Sequence, residues 1–275
     1  MKKVMLAAAA VVASSLMIYG QQQQPAAAAA PGAPVSESPV APQPVPKSPE
    51  EAQALQTLFQ APDPASRIKA ADEFVVKFAD SDFKSLAMMV AAEMSRQTNA
   101  HDKAIIYAER ALEADPNSYM AMIILASELA GTTREHDLDR EEKLKRAENY
   151  SNKALEIIKA APRPQPNLTD EQWAAAKADF SAQAHAALGV AKMVRKDCDA
   201  GIPELQAGTS TPNADPRDKL RLGMAYTECG KPDQAIALFD ALISDPQLPP
   251  AFKQFAEREK NRAVQKKGGA AAPAQ

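Results

Sequence analysis

Matching residues recur at one fixed separation along this chain, and no other property narrows its fold so far. Leu188 and Leu222, Gly189 and Gly223, Asp199 and Asp233, Ile202 and Ile236, and Leu205 and Phe239 all stand 34 apart. Upstream, Ala70 and Ala104, Ala91 and Leu125, and Ala92 and Ala126 keep the same period of 34. A period of roughly 20–50 residues marks a repeat architecture, in which each element buries one face against its neighbours. Between 50 and 267 apolar residues and alanines recur at three- and four-residue spacing, without long alternating β-branched runs, so the repeating element is helical.

One copy reads LGMAYTECGKPDQAIALF, from Leu222 to Phe239. Small residues, Gly223 and Ala235, stand where two helices must approach closely, and Leu222, Tyr226 and Phe239 fill the space between helix pairs. A second copy is LGVAKMVRKDCDAGIPEL, Leu188 to Leu205, with Gly201 where the first has Ala235. A third spans 85–117 and carries Ala104, Ala111 and Pro116 in frame, and a fourth pairs YMAMIILASELA with EKLKRAENYSNKALEII. The half-copy IKAADEFVVKF supplies Ala70 and Phe74. These residues resemble the tetratricopeptide repeat, whose pattern is Leu-Gly-x-x-Tyr in a first helix and Ala-x-x-x-Phe in a second. Two departures are Lys219, where that family has tryptophan, and Pro246, one residue early. The resemblance covers roughly 51–245 and implies an all-α, right-handed helical-hairpin solenoid, a superhelix of about four repeats with flanking helices. The segment AFKQFAEREKNRAVQKK has one apolar edge, Phe252, Phe255 and Ala256, and otherwise charged faces, as a capping helix requires.

The fourth copy breaks the period twice. Its second helix is displaced by nine residues, and GTTREHDLDREE occupies the longer turn. A further 20 residues precede the next copy. Thr169 followed by Gln172 is a capping box, so the additions extend two helices, about 139–160 and 170–195, whose projecting tip is APRPQPN. Trp173, the sole tryptophan, lies on that tip. It serves either as an interface anchor, the role in which tryptophan is enriched, or as a staple packed on Ile157 and Ile158.

The flanks are of another kind. Lys2 and Lys3 precede an uncharged, mostly apolar run from Val4 to Tyr19, shorter than the roughly 20 residues of a spanning helix. Residues 1–20 therefore read as a cleaved secretory signal, with a retained anchor as the alternative. Residues 21–49 hold eight prolines between Pro25 and Pro49 and little to bury, which reads as a disordered tether. Residues 268–275 read as a disordered tail. The reading is thus an exported chain, periplasmic or extracellular, with its helical-repeat domain at 50–267 and no stable membrane span after cleavage. Formal charge is −3, and loss of Lys2 and Lys3 makes it −5, which argues against a nucleic-acid partner.

Nothing in the motifs points to catalysis, and the expectation is of no enzyme, cofactor or metal. His101, His136 and His185 stand alone without metal-ligand spacing, and neither a nucleophile elbow nor a phosphate loop is present. The charges of DREEKLKRAE alternate along a helix and read as a solvated face. Cys198 and Cys229 fall in the turns of consecutive repeats, as a disulfide or as two separate thiols, depending on whether the turns come within about 7 Å. What the resemblance implies is a concave face of first helices that holds an extended peptide or a partner helix. Carried over in frame, that face consists of Leu86, Met89, Glu93 and Arg96, then Met120, Ile123 and Ser127, then Gln183, Ala186, Val190 and Met193, then Arg217, Leu220, Met224 and Thr227. Its methionines suit an adaptable binding surface, or else form core. Lysine and asparagine, which some members use to clamp carboxylate-terminal peptides, are absent where Met89 and Glu93 stand. The implied function is a non-catalytic protein-interaction adaptor of the cell envelope. The alternative is a structural subunit of a permanent envelope complex.

Overall fold

The computed structural model describes residues 39–270, and within them the regular structure is helical apart from one isolated β-bridge. The eleven helices are α1 (Pro49–Gln60), α2 (Pro64–Lys77), α3 (Lys84–Gln97), α4 (His101–Ala114), α5 (Tyr119–Thr132), α6 (Arg140–Ala160), α7 (Asp170–Val194), α8 (Cys198–Gly208), α9 (Pro216–Glu228), α10 (Pro232–Ser244) and α11 (Pro250–Ala270). The expected signal at 1–20 and most of the 21–49 tether lie outside the described residues.

The helix starts follow from local chemistry. Proline opens α1, α2, α9, α10 and α11, where its missing N–H costs no helical bond. Ser48, Asp63, Asp197 and Asp215 cap α1, α2, α8 and α9 by accepting from backbone N–H groups of the first turn. The capping box of α7 is present in both directions: the Gln172 N–H donates to Thr169 Oγ1 (3.2 Å) and the Thr169 N–H to Gln172 Oε1 (3.0 Å).

Within one compact unit α1 packs on α2 and α3 on α4, and within a second α9 packs on α10 and both carry α11. The expected half-copy therefore has a partner: α1 precedes α2 and supplies the buried Leu55 and Leu58. Its identity was hidden because its small-residue positions do not match the pattern. Three of the turns within pairs share one backbone feature. Asn99, Lys196 and Gly230 all have left-handed φ, at 57°, 64° and 71°. Lys196 and Gly230 are 34 apart, and Asn99 is their equivalent once the two insertions are counted. Left-handed backbone costs an L residue roughly 1–2 kcal/mol that glycine escapes. Lys196→Gly is therefore expected to raise stability by about 1 kcal/mol, although it removes an exposed ion pair to Glu135 (2.7 Å) that contributes little. Chemical denaturation compares the two, and an unchanged or lowered midpoint contradicts the expectation.

The chain divides into two compact units. One comprises the described residues through Ile124 together with Lys159–Lys177, and the other Leu125–Ile158 together with the residues from Ala178 onward. In the first, α1, α2, α3 and α4 pack in sequence around Leu55, Leu58, Phe74 and Met94, each 2% exposed or less. The Tyr107 hydroxyl donates to Asp72 on α2 (2.8 Å), and burial, then that carboxylate, pushes its pKa up to about 12.

In the second unit Leu205, Phe239, Leu222, Tyr226 and Leu242 form one cluster with Ala235, Ala256 and Ala263. Gly189 and Gly223 stand where a Cβ would enter the side chains of Leu205 and Phe239, which is why the frame is small there. The helix α11 packs on α9 and α10, as a capping helix should, and continues to Ala270, three residues into the expected tail.

Both insertions extend helices as expected, with α6 and α7 within a residue of the anticipated bounds. Two expectations change. The acids of DREEKLKRAE are not merely solvated: Arg195 on α7 donates to Glu141 (2.8 Å) and to Glu148, and Lys192 pairs with Glu148 (3.0 Å). The tip is not free, and the last part of the tether is not loose. Arg163 at the tip is 5% exposed, and residues 39–41 exchange backbone hydrogen bonds with it.

Candidate functional site

The first helices expected to line a face are α3, α5, α7 and α9, and their residues sort by angle. Leu86, Met120, Gln183 and Arg217 open the row and are half-buried or exposed. Seven residues on, Glu93, Ser127, Val190 and Met224 are all half-buried. Seven residues turn a helix through about 700°, so both sets point nearly the same way. Three residues on from the start the helix has turned about 60° toward its neighbours. There Met89 (9%), Ile123 (2%), Ala186 (3%) and Leu220 (9%) are buried.

Met89, Ile123 and Leu220 are thus core, not contact surface. Thr227 joins them at 1% exposure: its hydroxyl donates to the Gly223 carbonyl (3.0 Å), and its own carbonyl accepts from Lys266 of α11 (3.3 Å). The sequence frame places these four on the open face, and the structure turns them into the core.

Each unit keeps its own open row. In the first, Glu93 pairs with Arg96 (3.4 Å), and Leu86 and Met120 supply apolar surface. In the second, Val190, Met193 and Met224 pack partly against the core cluster and leave part of each side chain open. His185 follows Gln183 and approaches Glu204 on α8, Nδ1 to Oε2 at 2.6 Å. At the start of α9, Arg217 pairs with Asp215 (2.9 Å) and Arg221 with Asp218 (2.8 Å). Burial raises the Asp218 carboxyl pKa despite the neighbouring Arg221 guanidinium. Burial opposes ionisation of Asp215 too, but hydrogen bonds from Arg217 hold its pKa below the ordinary value.

Two expected features settle differently. Trp173 is 4% exposed and its indole N–H donates to the Ala161 carbonyl (3.1 Å). It fixes the tip from within and offers no surface for an interface anchor. Cys198 and Cys229 are bonded, with Cα atoms 5.8 Å apart. A depression lined by Val75, Val76, Lys84, Met88 and Arg110 lies in the first unit, and no residue of the expected face borders it. Among the described residues no helix is long and apolar enough to cross a membrane. Nor does any group of three or more His, Cys, Asp or Glu there come together as a metal site would require.

The family model of the tetratricopeptide repeat matches residues 87–118, which cover most of α3 and all of α4. A solved tetratricopeptide-repeat protein of Thermus thermophilus shares the fold at a TM-score of 0.52 and 13% identity, over 78% of this chain and 99% of its own. Over most of its length the chain has the fold of that protein, and one stretch of it, residues 87–118, matches the tetratricopeptide-repeat model. YrrB, described as a tetratricopeptide-repeat protein with an unusual peptide-binding site, aligns at 17% identity and a TM-score of 0.41, over 71% of this chain and 89% of that one. MamA aligns at 20% identity and a TM-score of 0.35, over 70% and 98%. No curated protein matches the sequence. In the matched stretch the small frame positions Ala91, Ala92, Ala104, Ala108 and Ala111 are all fully buried.

Proposed function

We propose that this protein is a non-catalytic interaction scaffold of the cell envelope, whose first-helix rows bind an extended segment or a helix of a protein partner. The observation that carries the reading is the alternation on each first helix. On each first helix, taken by itself, residues two turns apart stay partly open while the position between them is buried. A segment lying across the first helices within one unit would meet such open residues on each of them. The open pairs mix polar groups (Glu93, Ser127, Gln183) with apolar, adaptable ones (Leu86, Met120, Val190, Met224), as recognition surfaces do. Residence outside the reducing cytosol is supported by the signal-like start of the sequence and by the Cys198–Cys229 bond, since such bonds persist in oxidising compartments.

Site-specific photo-cross-linking in the native host tests the rows. A cross-linkable residue at Ser127 or at Gln183, both in the second unit, is expected to give the same discrete adduct, and one at the exposed Ile106 of α4 to give none. Val190→Glu is expected to lower adduct yield about tenfold, the effect of roughly 1.4 kcal/mol. Equal yields from Ile106 and from the rows reject the assignment.

A further inference from the structure

The proline-rich stretch ahead of α1 docks on the α6–α7 tip, within one unit of the molecule. The Arg163 N–H donates to the Pro39 carbonyl (2.9 Å) and the Ala41 N–H donates to the Arg163 carbonyl (2.7 Å). Together they make one parallel bridge, Val40 opposite Arg163. The Gln43 side-chain amide donates to the Pro164 carbonyl, and Lys47 Nζ reaches the Asp80 carbonyl (2.5 Å) at the other end of the strap.

Composition explains why the contact is a single rung. Proline brings no N–H, and the tip reads Pro162-Arg163-Pro164. Arg163 therefore carries the sole backbone donor of the three, and both of its main-chain groups are engaged. Neither strand can extend the pairing into a sheet, which protects both edges from indiscriminate association. The rung also imposes a rule on the peptide. Position 39 gives only its carbonyl and position 42 gives no bond to the tip, so both accept proline; position 41 must donate and cannot be proline.

The tip is held by bonds that do not involve the strap. Its Arg163 guanidinium donates to the Leu168 carbonyl (3.0 Å) and lies 3.6 Å from the Asp170 carboxylate. Trp173 ties the other flank through Ala161. A receptor fixed by its own contacts keeps its shape when the occupant leaves.

We propose that the α6–α7 tip is a receptor for an extended proline-rich peptide of the pattern Pro-x-(non-Pro)-Pro-Gln, which residues 39–43 fill in cis as a built-in occupant. A segment of the same pattern on a partner protein takes the same rung when the strap is displaced. This is strand addition reduced to one residue pair, with backbone bonds giving affinity and proline spacing giving register. Because the cis segment is tethered, its effective concentration is on the order of millimolar. A short competing peptide is therefore bound weakly until the strap is disabled. The inference does not depend on the first-helix rows.

The experiment uses the full chain carrying Ala41→Pro, which deletes the donating N–H in a non-helical segment. Amide exchange at Arg163, read by NMR, is expected to accelerate at least about tenfold, while amides of α9 and α10 keep their rates. Adding the peptide PVAPQPVPK at several millimolar is expected to restore protection, and the peptide PVPPQPVPK to leave exchange fast. Gln43→Ala, which removes the side-chain bond to the Pro164 carbonyl and leaves both bonds of the rung possible, is expected to act in the same direction with a smaller change. Wild-type protection of Arg163 in Ala41→Pro overturns the rung. Fast exchange that PVAPQPVPK fails to reverse, or that both peptides reverse equally, overturns the receptor.

Discussion

Reduction of the Cys198–Cys229 bond is expected to lower the stability of the second unit by about 3–4 kcal/mol. The two cysteines are 31 residues apart, and the bond closes that segment into a loop in the unfolded chain. Loop-closure entropy grows with the logarithm of loop length, which sets the figure. For a unit of this size the loss amounts to a fall in melting temperature of roughly 10–15 °C. The bond joins the first residue of α8 to the residue that ends α9, so the two helices are held at one end by a covalent link. Both cysteines are only half-buried, so reductant has access without prior unfolding. Thermal melts followed by circular dichroism, with and without reductant, provide the measurement. The double substitution of both cysteines by alanine is expected to melt where the reduced wild type does and to ignore reductant. A wild-type melt indifferent to reductant sinks the expectation, and with it one of the two supports for an oxidising compartment.

The repeat frame was legible because packing there leaves no freedom. Ala91, Ala92, Ala104, Leu125 and Ala126 are all fully buried, and each was placed by spacing alone, whereas Ala70, placed by the same spacing, is half-buried and its neighbour Ala71 takes the core position. The bounds of α6 and α7 were legible too, since the Thr169–Gln172 capping box is chemistry local to a few residues. The candidate site was less legible, for a physical reason. Periodicity identifies which stripe of a helix is most buried, but the stripe's width depends on the neighbouring helices. Met89, Ile123, Leu220 and Thr227 lie at that margin, and the neighbours close over them. Likewise the separation of the two cysteines said nothing about the offset between turns, which tertiary packing brings to 5.8 Å between Cα atoms. The strap left the faintest trace. Its contacts with the tip are mostly backbone bonds, and the local signal was a single residue able to donate between two prolines, Arg163.

Gly208→Ala is expected to cost about 3 kcal/mol, and Gly223→Ala about 1–2, although alanine is the better helix former by roughly 1 kcal/mol at each position. A Cβ at Gly223 would lie 2.5 Å from Phe239 Cε1 and 2.7 Å from Cζ, against a ring that is fully buried. A Cβ at Gly208 would lie 2.8 Å from the N, Cα and Cβ atoms of Ala186. The obstacles differ in kind. Phe239 is a side chain and can be exchanged for a smaller one, whereas the obstacle at Gly208 is largely the backbone of α7, and no rotamer relieves it. The helices α7 and α8 must instead separate, and their neighbours lose contact with both. The contrast yields a test by double mutants. Phe239→Leu in the Gly223→Ala background is expected to recover about 1 kcal/mol relative to the sum of the single changes. Ala186→Gly in the Gly208→Ala background is expected to recover almost nothing, because the Ala186 N and Cα atoms remain in place. Denaturant midpoints of the six variants decide it. Equal recovery at both sites would mean that the helices yield as readily as a side chain, and that the close approach of α7 and α8 is not what requires glycine at 208.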